Sequence, residues 1–194
     1  MDSKTLITGV VLAGGLGRRM GGVDKGLKIF RGRPLLDWTL ERFAPQVSEL
    51  LINANQNLPA YAAYGHRVIP DQLGGFAGPL AGLQRALSEA SHESVVTVPC
   101  DSPFLPTDLV QRLAREVAAQ DAQVGVAATG DQSHPVFLYC RRDLLPNLDR
   151  YLEAGGRKID AWYAKLRVVT VSFDDQIEAF RNINTLEELR DLER

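Results

Sequence analysis

The chain changes its hydrophobic period repeatedly along its length. Short apolar runs of strand type occur at Leu6 to Ala13, Glu49 to Ala54, Arg67 to Ile69, Ser94 to Val98, Val124 to Ala128, Val136 to Tyr139 and Val168 to Phe173. Between them apolar residues recur at helical spacing. Leu36, Leu40 and Phe43 follow Pro34; Leu80, Leu83 and Leu87 follow Gly78-Pro79; Leu109, Leu113 and Val117 follow Pro106. Thr185-Leu-Glu-Glu188 has the spacing of a capping box and opens a last helix with Leu186 and Leu189. Strands that alternate with helices in this way bury both faces of a sheet, which predicts an α/β fold with a mostly parallel sheet and helices on both sides.

At 194 residues, without repeats, low-complexity segments or a linker, the chain is expected to form one domain over 1–194. A net charge of -2 gives no overall basic footprint for nucleic acid, so any anion site has to be local. Cys100 and Cys140 are too far apart for a metal knuckle, and each lies in or beside an apolar run. They read as buried thiols in a reducing compartment. The start, MDSKTLITGVV, lacks a signal-peptide core and no window approaches a membrane span, so a cytoplasmic enzyme or binding protein is expected.

In open α/β sheets, ligands sit beyond the carboxyl ends of the strands. The first apolar run ends in VLAGGLGRRMGGVDKG, Val11 to Gly26, with six glycines, two arginines and a lysine. No register supplies a Walker A loop, because Lys25 precedes Gly26 rather than following a glycine and leading to Ser or Thr. The dinucleotide fingerprint also fails, since Arg18, Arg19 and Met20 intervene between Gly17 and Gly21. The physics of a phosphate cradle still applies: bare backbone lets amide groups approach phosphate oxygens, while Arg18, Arg19 and Lys25 neutralise the remaining charge. The alternative is a glycine-rich surface turn with solvated charges.

Other strand ends carry further polar groups. Asp101 terminates the run from Ser94 and precedes Pro103; a hard cation such as Mg²⁺ needs only one or two protein carboxylates when substrate phosphates and water complete its shell. Asp101 reads equally as a turn former or cap. Asp71 follows the third run, where its carboxylate suits the N–H edge of guanine, a second metal position, or a turn. Asn53 and Asn55 bring amides to the end of the second, and Asn53 suits a base or a ribose.

Taken together, LAGG at 12–15, RRMGG at 18–22, Asp24-Lys25, GPLAG at 78–82, PCDSP at 99–103, His134-Pro135 and Asn182-Ile-Asn184-Thr185 closely resemble the molybdenum cofactor guanylyltransferases, the MobA family. The resemblance runs through almost the whole chain in order. It implies a three-layer, Rossmann-like nucleotidyltransferase fold, with an N-terminal part for GTP and a C-terminal part for molybdopterin. It implies transfer of GMP from GTP to molybdopterin with release of pyrophosphate. Leu12, Ala13, Gly14, Gly15, Lys25, Asn53, Asp71 and Asp101 would bind GTP, with Asp101 also holding Mg²⁺. Arg157, Lys158, Asn182 and Asn184 would face the pterin, although Arg157 and Lys158 also read as a solvated helix start, and the asparagines as a turn before Thr185. Other cofactor-biosynthesis proteins and acceptor-enzyme chaperones are the protein partners implied.

The same resemblance implies a nucleophile that is already ionised, the terminal phosphate of the pterin, so no general base is required. Arg19, Lys25 and Mg²⁺ at Asp101 would carry the electrostatic work. That agrees with three histidines in unpromising places; for His134 a structural or substrate-positioning role is expected. Cytidylyltransferases acting on the same pterin tend to read LAAG, so Gly14-Gly15 argues for GTP. Rival readings are a sugar-phosphate nucleotidyltransferase, for which 194 residues leave little room, a nucleotide-binding regulator without turnover, and a nicotinamide dehydrogenase whose fingerprint is missing. The stretch Gln72-Leu-Gly-Gly-Phe-Ala is expected to be a loop over the nucleotide.

Overall fold

The computed structural model describes residues 6–14, 24–72 and 78–181. The chain order is β1 (Ile7–Leu12), β2 (Ile29–Phe30), β3 (Arg33–Pro34), α1 (Leu35–Phe43), β4 (Glu49–Asn53), α2 (Leu58–Ala62), β5 (Arg67–Ile69), α3 (Pro79–Glu89), β6 (Ser94–Pro99), α4 (Leu109–Ala119), β7 (Val124–Thr129), β8 (Gln132–Arg141), α5 (Leu145–Glu153), α6 (Ile159–Tyr163) and β9 (Val168–Ser172). The seven apolar runs all become strands of one sheet, in the order β5-β4-β1-β6-β8-β7-β9. β1 pairs in parallel with β4 on one edge and β6 on the other, and β4–β5 and β7–β9 are also parallel. β8 runs antiparallel to both β6 and β7. The sheet is thus mostly parallel, as the alternation of strands and helices leads one to expect, with one reversed strand.

Helices cover both faces. Leu36 and Phe43 of α1 and Leu113 and Val117 of α4 pack with Val11, Ile52, Val96 and Val98. On the opposite face Leu80, Leu83 and Leu87 of α3, Leu148 of α5 and Trp162 of α6 pack with Val10, Leu51 and Val95. Each fully buried Leu or Phe contributes roughly 1.5–3 kcal/mol through the area it removes from water. The three helices foreseen are present. The five-residue α2 and α6 and the β2–β3 hairpin are additional and too brief for their spacing to stand out, and α5, as long as α1, is additional as well. The expected capping box at Thr185 and the loop 73–77 lie outside the described residues.

Gly9 shows how closely α1 approaches the sheet. A Cβ there would lie 2.8 Å from both the Phe43 ring and the Val47 side chain. The glycine in an otherwise β-branched strand is therefore a contact requirement. Cys100 and Cys140 are buried free thiols, as expected, and burial pushes both thiols up, away from the reactive thiolate.

The β7–β8 hairpin turns at Gly130, whose φ is +52° and whose N–H donates to Asp174 at 2.5 Å. A register shift between Val126 and Ala127 brings His134 opposite Ala127. The His134 ring stacks on Phe180 at 4.6 Å, meets Phe137 edge-on, and its Nε2 pairs with the Thr129 hydroxyl at 2.8 Å. Phe173 joins the cluster and carries the Arg112 guanidinium 4.1 Å above it. Arg112 donates in turn to both carboxylate oxygens of Asp175, at 2.8 and 2.9 Å, which fastens the segment after β9 to α4. Burial holds the His134 imidazole below its ordinary value of 6.5. On acidification the unfolded chain therefore takes up the proton before the folded one. The contribution of this residue to stability is complete above about pH 6.5 and is lost as pH falls below it.

Two outcomes are expected. Gly9→Ala lowers stability by roughly 1–3 kcal/mol through overpacking, seen as a lower denaturant midpoint with unchanged slope. Between about pH 7 and about pH 5, stability falls more steeply for the wild type than for His134→Gln, and parallel curves for the two would refute the assignment.

Candidate active site

The sheet order reverses at β1. After β1 the chain moves outward to β4 and β5 and then returns to β6 on the other side, so the two crossovers leave a crevice at the carboxyl ends of β1 and β6. The parallel ladder continues just past the strands: the Ala13 N–H donates to the Asn53 carbonyl at 2.8 Å, and the Cys100 N–H to the Leu12 carbonyl at 3.2 Å. These bonds bring Leu12, Ala13, Gly14, Asn53 and Asp101 to one edge.

Asp101 is buried, and its Oδ2 accepts a 3.0 Å hydrogen bond from the Lys25 ammonium. The lysine side chain is 30 % exposed and the aspartate side chain 8 %. A carboxylate so far withdrawn from water needs a cation against it, and Lys25 supplies one. Lys25 is itself held from both sides. The preceding Asp24 accepts hydrogen bonds from the Tyr61 hydroxyl and, at 3.2 Å, from the Asn57 amide. The following Gly26 passes so close to Tyr61 that a Cβ would lie 2.8 Å from its hydroxyl, and its carbonyl accepts from the Leu36 N–H at 2.9 Å. Burial keeps the Tyr61 phenol protonated, with its pKa pushed up further by the Asp24 carboxylate, so it remains a donor. From the other side, Thr39 of α1 donates to the Cys100 carbonyl at 3.2 Å, and Arg42 to the Leu105 carbonyl at 2.6 Å. The loop that bears Asp101 is thereby anchored to a helix.

Asp71 sits two residues beyond β5, half-buried. Its Oδ1 accepts from the Asn53 amide and its Oδ2 from the Asn55 amide, both at 2.8 Å. Asn53 is only 2 % exposed, donates also to the Ile69 carbonyl at 2.9 Å, and lies against Gly14 and Gly82, where added Cβ atoms would come within 3.0 and 2.4 Å of its Oδ1. Asn53 thus meets protein groups at its amide nitrogen and packs against backbone at its oxygen.

Arg157 and Lys158 lie apart from this cluster in hydrogen-bonding terms. Gly155, at φ +85°, ends α5, and the Arg157 guanidinium donates to the Leu152 carbonyl at 3.0 Å and the Gly156 carbonyl at 2.6 Å. Arg157 therefore caps the end of α5 rather than opening a helix, and Lys158 stands at the start of α6. Because β8 ends opposite the beginning of β6, with Arg141 across from Ser94, α5 starts at the amino edge of the sheet and its cap returns toward the carboxyl edge. Gly15, Arg19, Asn182 and Asn184 lie outside the described residues.

Asp24, Tyr61, Asn55 and Thr39 were not singled out by sequence reasoning as site residues. Asp24 carried a signal, its place beside Lys25, and Asn55 was noted as a strand-end amide without a role; for Tyr61 and Thr39, whose contacts span 37 and 61 residues of chain, no local pattern marks them. Among the described residues there is no group of three or more His, Cys, Asp or Glu side chains able to enclose a metal, and no helix is long and apolar enough to cross a membrane. A single carboxylate at a strand end fits a cation whose other ligands come from substrate.

A profile of the MobA-like NTP transferase domain matches residues 9–168. A protein of Bordetella petrii named molybdenum cofactor guanylyltransferase is 51 % identical over 196 residues, covering 99 % of this chain and 100 % of that one. One of the same name from Shewanella putrefaciens is 48 % identical over 182 residues, 94 % of this chain and 93 % of that one. Among solved structures, molybdopterin-guanine dinucleotide biosynthesis protein A from Archaeoglobus fulgidus superposes with a TM-score of 0.77 at 26 % identity, covering 95 % of each chain. A 4-diphosphocytidyl-2C-methyl-D-erythritol synthase from Anaerococcus prevotii shares the fold with a TM-score of 0.74 at 14 % identity, over 99 % of this chain and 100 % of that one. With a matching profile over most of its length and half its residues shared with such relatives, this chain belongs to the MobA-like NTP transferases, among the molybdenum cofactor guanylyltransferases.

Proposed function

We propose that this nucleotidyltransferase moves GMP from GTP to the terminal phosphate of molybdenum-bound molybdopterin, releasing pyrophosphate and forming the guanine dinucleotide cofactor. The observation that carries this reading is the Lys25–Asp101 pair at the switch point of the sheet, beside the glycine-bearing end of β1. The names of the relatives supply the substrates. The whole of 1–194 is read as one domain, with the N-terminal part taking GTP and the segments after β8 taking the pterin.

The chemistry is governed by charge. An oxygen of the acceptor phosphate attacks the α-phosphorus of GTP, the bond from that phosphorus to the bridging oxygen breaks, and the electron pair leaves with pyrophosphate. The attacking oxygen is already anionic, so no side chain has to remove a proton. His134, stacked on Phe180 and bonded to Thr129, is accordingly a wall of the site and not a base. Mg²⁺, when bound, offsets phosphate charge and the charge that grows on the leaving pyrophosphate; Asp101 would hold it. Lys25 aligns the polyphosphate and Arg19 adds a second cation in the glycine loop. Leu12, Ala13, Gly14 and Gly15 shape the floor under the nucleoside, and Asp71 accepts the two N–H groups of the guanine edge, with Asn53 bracing it from behind. Arg157, Lys158, Asn182 and Asn184 are assigned to the pterin side. The reading places the enzyme in the cytoplasm, where other cofactor-biosynthesis proteins and the chaperones of acceptor enzymes deliver and collect the pterin.

With Mg²⁺, a molybdopterin-bearing acceptor and each nucleoside triphosphate in turn, pyrophosphate is expected from GTP alone. Equal rates with CTP would overturn the base assignment, and no release with any nucleotide would favour a binding protein. Asp101→Ala should lower kcat by about 100-fold or more while weakening GTP binding much less, and Lys25→Met should lower kcat/KM by a comparable factor. Turnover that survives Asp101→Ala would remove the metal role from that residue.

A further inference from the structure

Asn55 is an exposed residue just past the end of β4, and its amide makes three hydrogen bonds, all to groups around the proposed base site. Its Nδ2 donates to Asp71 Oδ2 at 2.8 Å and to the Gly14 carbonyl at 3.2 Å, and its Oδ1 accepts from the Asp71 backbone N–H at 2.8 Å. The amide orientation follows from this network, because two acceptors face one end and a donor faces the other. An exposed side chain that ties three segments together has a narrower purpose than core stability.

We propose that Asn55 is a positioning residue for base selection: it fixes the Asp71 carboxylate so that one lone pair on each oxygen is presented to the two N–H groups of the guanine edge. This rests on the reading of Asp71 given above. A carboxylate offers about four acceptor sites, two on each oxygen. Asn53 occupies one on Oδ1 and Asn55 one on Oδ2. In this proposal the two amides take the outer lone pair of each oxygen, and the two inner ones, which run roughly parallel, are left for N1–H and the 2-amino group. Without Asn55 the carboxylate is held at Oδ1 alone and can rotate about its last bond. One guanine hydrogen bond then survives easily, and the second loses its geometry.

Gly14 is part of the same device. The Asn55 Nδ2 lies 2.8 Å from where a Cβ at position 14 would stand, so the amide rests on bare backbone. The strand end beneath the nucleoside and the carboxylate at its edge are therefore held by one side chain. A rigid spacing between floor and edge is what allows a site to reject a base that lacks one donor.

The test compares GTP with ITP, whose base keeps N1–H and lacks the 2-amino group. In the wild type kcat/KM should strongly favour GTP. Asn55→Ala should reduce that preference about tenfold, through a higher KM for GTP, with kcat for GTP and the kinetics of ITP little changed. A general loosening of the fold would move both nucleotides and the melting temperature together. Asn55→Ser, too short to reach Asp71 and Gly14 at once, should reproduce the shift should the alanine variant fold poorly. Asp71→Asn tests the base contact itself, since its amide suits the 2-oxo group of XTP. If Asp71→Asn leaves the order GTP, ITP, XTP unchanged, the base reading of Asp71 falls and this inference with it. If Asp71→Asn alters the order while both Asn55 variants keep the wild-type GTP-to-ITP ratio, the inference alone is overturned.

Discussion

β1 is bonded in parallel along both of its edges, to β4 and to β6, and the remainder of the site is a consequence of that arrangement. A strand paired on both sides has no free backbone groups until it ends, and here it ends between two chains that run the same way. The next segments must leave the sheet in opposite directions, which opens the crevice. Asn53, Asp71 and Asp101 each lie within two residues of the carboxyl end of β4, β5 or β6, and the turn that carries Lys25 is brought to the same edge by its contact with Asp101. The burial of Phe43 against Gly9 fixes α1 close beneath, and α1 in turn anchors the loop that carries Asp101.

Charge within the crevice is arranged by restraint. Asp101 is withdrawn from water and answered by Lys25; the turn holding Lys25 is tied down by Asp24 to Tyr61 and Asn57, and by Gly26 to α1. Asp71 is braced by two amides. Such preorganised groups do not have to be reoriented when a polyanion arrives, which is the condition under which electrostatic stabilisation is most effective. The phenol of Tyr61, raised by burial, remains a hydrogen-bond donor to Asp24 at any physiological pH.

Much of the architecture was legible in the chain itself. The seven apolar runs correspond one for one to the seven strands of the main sheet, and the helices after Pro34, Pro79 and Pro106 are where periodicity and proline punctuation put them. The reversal of β8 is invisible to such reasoning, because alternation of apolar residues is the same in either direction. α6, at five residues, is too short for periodicity to show, whereas α5 is as long as α1 and carries Leu145, Leu148 and Leu152 at helical spacing, a signal the sequence reading passed over. In the site, Lys25, Asp71 and Asp101 stood out because each ends a strand or a glycine loop. Asn55 was visible as a strand-end amide but without a role, and Tyr61 was not visible, since the partners of both are distant in sequence. The Gly155–Lys158 stretch was legible as a basic cluster, but its local task, closing α5 with the Arg157 guanidinium, needed coordinates.

The reversed strand gives the two sides of the crevice unequal freedom to change. β4, β5 and β6 each arrive by a crossover, so an inserted residue has to be absorbed by a helix or by the register of a buried strand. β7 and β8 are joined instead by a tight turn at Gly130, whose tip reaches the same edge and is fastened there by Asp174 and by the aromatic stack around His134. A hairpin lengthens at its tip without altering the pairing at its base. The segment proposed to face the second substrate is therefore the one that can be remodelled, through the turn and the stretch after β9, without disturbing the parallel half of the sheet.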